Sequence, residues 1–151
     1  MASVGTMKAP GAYAQRAPNA RIEAPIQERI AAMLRAYLPD EIWWSASLSG
    51  VKLTPRGAAD AKKAGMQKGA PDLSFIFPDG STRYLEVKGP DGVLTPEQRQ
   101  LATVLGDRMA VVRSWPEARA ALDVWMAGHG LRFLTDTESY QRDARRRGVK
   151  L

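Results

Sequence analysis

Cysteine is absent from the sequence, and histidine occurs once, at position 129 between two glycines. Without thiols the chain has no disulfides, no zinc–thiolate site and no thiol nucleophile, which fits a reducing compartment. His129, alone in its glycine loop, is assigned no role. No stretch approaches the roughly 18 consecutive apolar residues of a membrane span, so no membrane partner is expected. The first 21 residues, MASVGTMKAPGAYAQRAPNAR, lack the apolar segment of a secretory signal. Together these absences point to a cytoplasmic location. Internal repeats are also missing.

What is present is ordinary globular composition. The 151 residues are 44% hydrophobic and 25% charged, which suits one domain around one core. A net charge of +6 points to a polyanionic partner, nucleic acid first. Residues 1–21, rich in Ala, Pro and Gly, are expected to form a flexible arm. Residues 22–135 should form the domain. Residues 136–151, with Arg145-Arg146-Arg147, should form a basic tail that frays, either contacting DNA or serving only as a soluble end.

Ile22, Ile26, Ile30, Met33, Leu34, Tyr37 and Leu38 recur at three- and four-residue spacing and predict a helix over 22–38. Pro25 belongs in a first turn, which sets the start near Glu23, and Pro39 ends it. EIWWSASL, 41–48, predicts a strand. Thr54-Pro55 is an N-cap followed by proline at the first helical position, so a short helix should run to about Gly65. Strands are predicted over 73–77 and 82–88. Thr95-Pro96 repeats the N-cap signal for a helix that turns Leu101, Val104 and Leu105 inward. MAVVR, 109–113, reads as a short strand for a sheet interior. Ser114 and Glu117 form a capping box for a helix with Ala118, Leu122, Trp125 and Met126 inward, stopped at Gly128 and Gly130. Trp43, Trp44, Trp115 and Trp125 are read as core or interface residues rather than base-stacking platforms. The order α-β-α-β-β-α-β-α implies an α/β fold, a mixed four-stranded sheet flanked by helices.

The hairpin KGAPDLSFIFPDGSTRYLEVKGP, 68–90, carries the chemistry. In Pro78-Asp79-Gly80, proline suits the first central position of a type I turn, and glycine supplies the left-handed bulge residue. The resulting three-residue loop closes Phe77 opposite Ser81, which sets Asp72 opposite Glu86. Directly opposed residues share a face about 4.5 to 5.5 Å apart at Cα, and alternation returns Lys88 to that face. Opposed carboxylates repel unless a divalent cation lies between them. Asp and Glu oxygens suit Mg²⁺, the Val87 carbonyl could add a ligand, and Lys88 could position or deprotonate a water there. The plainer alternative is that Lys88 only neutralises two acids at a strand end.

Gly69-Ala70-Pro71-Asp72 followed by Glu86-Val87-Lys88 resembles the PD-(D/E)XK nuclease superfamily, and more closely its VRR-NUC (virus-type replication-repair nuclease) family. Glu23-Ala24-Pro25-Ile26-Gln27 is similar to that family's first helix. Ala64 to Asp72 is similar to its glycine-rich approach to the catalytic aspartate. Leu94-Thr95-Pro96-Glu97-Gln98 and Val111 to Ser114 resemble its closing helix and strand. The resemblance spans about 23–127. It implies a restriction-endonuclease-like core and a Mg²⁺- or Mn²⁺-dependent phosphodiesterase acting on DNA. Asp72 and Glu86 then match the metal ligands and Lys88 the catalytic lysine.

Glu23 either serves the helix dipole of a first turn or joins the site, to which its place in the apolar stripe points it. Gln27, one turn later, could orient it. Gln98 either completes a capping box with Thr95 or reaches the site. Lys62, Lys63 and Lys68 are either solvated charge or phosphate contacts. Expected partners are DNA, including branched or junction DNA, and a second copy of the chain. A homodimeric Holliday-junction resolvase and a non-catalytic DNA-binding module are the alternatives to a structure-selective nuclease.

Overall fold

The computed structural model describes residues 20–47 and 54–151. Residues 1–19 of the expected arm over 1–21, and Leu48 at the end of the first expected strand, lie outside the described residues, while residues 20 and 21 of that arm open a helix. Helix α1 is Ala20–Tyr37, starting earlier than Pro25 predicted. Proline at the sixth helical position withdraws one backbone donor and crowds the turn before it. Burial of Ile30 and Leu34 further along the same helix outweighs that loss.

Strands β1 (Trp43–Ala46), β2 (Leu73–Ile76), β3 (Thr82–Val87) and β4 (Met109–Val112) form one mixed sheet in the order β1-β2-β3-β4. The first three run antiparallel, and β4 lies parallel to β3. A parallel neighbour needs a crossover, which helix α3 (Pro96–Leu105) provides. Helix α2 (Pro55–Lys63) bears the predicted Thr54 cap, whose side chain accepts from the Gly57 N–H at 3.0 Å.

The hairpin closes as its turn residues require. Phe77 N–H donates to the Ser81 carbonyl at 2.9 Å, Gly80 takes φ +82°, and Leu73 pairs with Leu85. His129, assigned no role above, pins the hairpin tip. Its Nε2 lies 3.0 Å from Asp79 Oδ2, its Nδ1 lies 3.0 Å from the Trp125 carbonyl, and its ring stacks on Phe77.

The two faces of the sheet differ. Leu73, Phe75, Leu85, Val87 and Val112 point to one side, into a core shared with Ile30 and Leu34 of α1 and with Leu122 and Met126 of α4 (Trp115–Ala127). The opposite side carries Asp72, Ser74, Ile76, Thr82, Tyr84 and Glu86. Helix α3, which reaches this side through Gln98, has no fully buried residue.

Four sequence expectations are corrected. MAVV forms an edge strand of the described sheet, not an interior one. Its apolar run arises because Val112 enters the core, while Val111, beside Glu86, stays 38% exposed. Val104 faces solvent rather than the core, because α3 covers the sheet with less than a full apolar stripe. At α4 only half the capping box forms. Ser114 accepts from the Glu117 N–H, but the Glu117 carboxylate turns to the Arg113 N–H at 2.7 Å. The basic tail is helix α5 (Asp136–Arg146), with a complete Thr135–Glu138 capping box, docked on α1.

Candidate active site

Four segments converge where β2 begins and β3 ends. Asp72 stands one residue before β2 and, by continuation of the Leu73–Leu85 register, opposite Glu86. Its Oδ2 accepts a hydrogen bond from the Val87 N–H at 2.7 Å. Asp72 is thereby tied to the neighbouring strand by the peptide that links Glu86 to Val87. Lys88 keeps the strand path one residue further, since its N–H donates to the Val112 carbonyl at 3.0 Å. Its Nζ lies 3.2 Å from Glu86 Oε1 and 3.9 Å from Glu23 Oε1 of α1. From α3, Gln98 Nε2 donates to Glu86 Oε1.

Gln98 performs both jobs that its position suggested. Its Oε1 accepts from the Thr95 N–H at 2.9 Å and completes the capping box, while its Nε2 reaches Glu86. The cap thus locks the rotamer that presents the amide to the site. Gln27 makes no hydrogen bond to Glu23 among the described residues. Lys62, Lys63 and Lys68 are exposed, at the end of α2 and in the loop that leads to Asp72. None has an ion pair with a described residue.

Glycines let these segments approach. Gly69 has φ +81°, and a Cβ there would meet Glu97 Cβ at 2.9 Å, so the GAPD turn lies directly on the first turn of α3. A Cβ on Gly92 would meet Glu23 Oε1 at 3.2 Å, so the 89–92 loop seats against the start of α1. Sequence reasoning missed the role of Arg113. Its guanidinium donates to the Gly89 carbonyl and tethers that loop. Arg113 becomes visible only through the parallel β3–β4 register, which sets it beside Lys88.

Glu86 is 1% exposed, and its Oε2 is buried with no hydrogen-bond partner. Burial, followed by the charge of Asp72, pushes its carboxyl up to about 7, against the opposing pull of Lys88. An orphaned buried carboxylate oxygen is uncommon and calls for a ligand or a function. Among the described residues no three His, Cys, Asp or Glu side chains gather into a cation cage. Two carboxylates with water completing the shell is nonetheless the usual mode for Mg²⁺. The donor set of Asp72 and Glu86, with the orphaned Oε2 among it, fits such an ion.

Comparison of the chain with family models, with curated proteins and with solved structures finds no match. No helix among the described residues is long and apolar enough to cross a membrane.

Proposed function

We propose that this chain is a divalent-metal-dependent, structure-selective nuclease that hydrolyses DNA phosphodiester bonds on a restriction-endonuclease-like core. The observation that carries this reading is the buried Glu86 carboxylate, with one oxygen unpartnered, facing Asp72 and flanked by Lys88. If Lys88 merely neutralised the acids, Glu86 Oε2 would have no reason to stay unsatisfied. The mixed sheet, with its antiparallel hairpin and crossover helix, supports the fold assignment.

Asp72, Glu86 and the Val87 carbonyl would hold Mg²⁺ or Mn²⁺. Such an ion polarises a phosphoryl oxygen and acidifies water. The remaining work belongs to the chain. Lys88, held between Glu86 and Glu23, sets a positive charge where phosphate charge develops. Gln98 fixes the Glu86 carboxylate through one amide atom while the cap anchors the other. The Val87 N–H holds Asp72. Lys62, Lys63 and Lys68 contact phosphates beside the site and position DNA without reading its sequence.

Replacing Asp72, Glu86 or Lys88 by Ala is expected to lower cleavage by about 100-fold or more, as losing a transition-state contact does. Asp72→Asn and Glu86→Gln test the same point with less disturbance of packing. The measurement is Mn²⁺-dependent cleavage of linear, flap and four-way-junction DNA, with EDTA as control and circular dichroism for the fold. Undiminished cutting by every variant would refute the assignment.

A further inference from the structure

The sheet face that bears Asp72 and Glu86 extends well beyond them. Trp43 pairs with Ile76 and Ile76 with Thr82, so Trp43 stands on that face at the opposite end of the strands. Its neighbour Trp44 points the other way, against the core. Trp43 is 58% exposed and Ile76 41%. A large aromatic left open on a strand excludes a core role for Trp43 and leaves a contact with a partner molecule.

Between Trp43 and the carboxylates the face is lined by hydroxyl side chains, Ser45 on β1, Ser74 on β2 and Tyr84 on β3, with Ile76 and Thr82 level with Trp43. Ile76 lies four residue steps from Asp72, a distance of about 13 Å in extended chain. That is roughly four base steps at duplex rise, and fewer in an extended single strand. Hydroxyls make contacts to phosphates and sugars, and an exposed indole offers a base a flat partner of any sequence. Trp43 also borders a groove lined by Arg35 and by Arg142 and Arg146, the last two ion-paired to Asp40. Arg35 has no ion pair with a described residue and lies 5.8 Å from the Trp44 ring, on the core side of β1, while the whole chain carries +6.

We infer that Trp43 is a stacking platform for an unpaired nucleobase, on a strand that crosses the sheet face from the cleavage site by way of Ser74 and Ser45. This rests on the nuclease reading and deepens it, because it assigns the substrate an unpaired segment near the cut. Charge and lining select a nucleic-acid strand over a second copy of the chain. A protein interface centre is apolar and depleted of charge, whereas this face sets the hydroxyls of Ser45, Ser74, Thr82 and Tyr84 beside one indole and Ile76, on a chain of net charge +6.

The test measures binding in EDTA by fluorescence anisotropy, so that no probe is consumed. The probes are a fluorescein-labelled single strand, a fork with unpaired arms and a blunt duplex. Trp43→Thr removes the ring and keeps a strand-compatible residue, and Trp43→Phe restores an aromatic face. Trp43→Thr is expected to weaken the single strand and the fork by about tenfold and the duplex by less than about twofold. Trp43→Phe should recover most of the loss. Unchanged binding of the single strand, or equal loss on all three probes, overturns the inference. So does sedimentation showing a parent dimer that Trp43→Thr dissociates, since a second copy then occupies the face. A parent that binds unpaired strands through Trp43 yet never cuts refutes only the nuclease reading. A parent whose cutting and binding ignore Trp43 refutes only this inference.

Discussion

At the scale of single residues, Glu86 concentrates the tension in the site. Its carboxyl has an ordinary value of 4.5 and in the fold stands near 7, because burial and Asp72 disfavour the charged form more than Lys88 favours it. The folded chain therefore binds a proton between those values that the unfolded chain has lost. The stability this contributes is complete below pH 4.5 and disappears as the pH rises through about 7. In EDTA the parent should lose on the order of 2 kcal/mol more than Glu86→Gln between pH 5 and pH 8. Urea denaturation at the two pH values measures it, and parallel behaviour of parent and variant would contradict the burial argument.

At the scale of elements, the site depends on how closely the GAPD turn meets α3. Gly69 and Gly80 share nearly the same positive φ, +81° and +82°, but a Cβ at Gly80 meets nothing within 4 Å. Gly80→Ala should therefore cost only the backbone penalty, about 1 to 2 kcal/mol. Gly69→Ala should cost that and also push Glu97 away, carrying the Gln98 amide off Glu86. The expected outcome is comparable loss of stability from the backbone in both variants, with a further loss and a clear fall in cleavage only for Gly69→Ala. Thermal melts and the cleavage assay together separate the two effects. The hairpin has its own support at the far end, where His129 joins Asp79 to the end of α4.

At the scale of the molecule, construction and chemistry lie at opposite ends of α1. Glu23 enters the site near one end, while the other is closed by Arg142 of α5. The buried Arg142 guanidinium donates to the carbonyls of Arg35, Ala36 and Leu38 at 2.6, 2.7 and 2.6 Å. Asp40 balances its charge at 3.1 Å. The carbonyls of a helix end need donors and favour a cation. Arg142→Ala should destabilise the chain by about 2 to 4 kcal/mol, and Arg142→Lys should recover only part, since an ammonium lacks the planar fork. Mn²⁺ affinity measured by calorimetry on the folded variants should stay unchanged. Glu23 and Ala36 are separated by 13 residues of helix, about 20 Å. A parallel loss of metal binding would show that the two ends are coupled.

Much of this was legible in the sequence because it is local. Proline, aspartate and glycine at 78–80 set the hairpin register within a few residues, and that register alone brings Asp72, Glu86 and Lys88 to one face. The Thr–Pro signals placed α2 and α3 for the same reason. Tertiary structure decided what depends on distant partners. The edge position of β4, the exposure of Trp43 and Val104, the order in α5 and the tether from Arg113 follow from which surfaces meet across the fold. A strand's composition reports that a face is apolar but not what covers it. Burial is a property of two surfaces, and the sequence of one segment carries only its own.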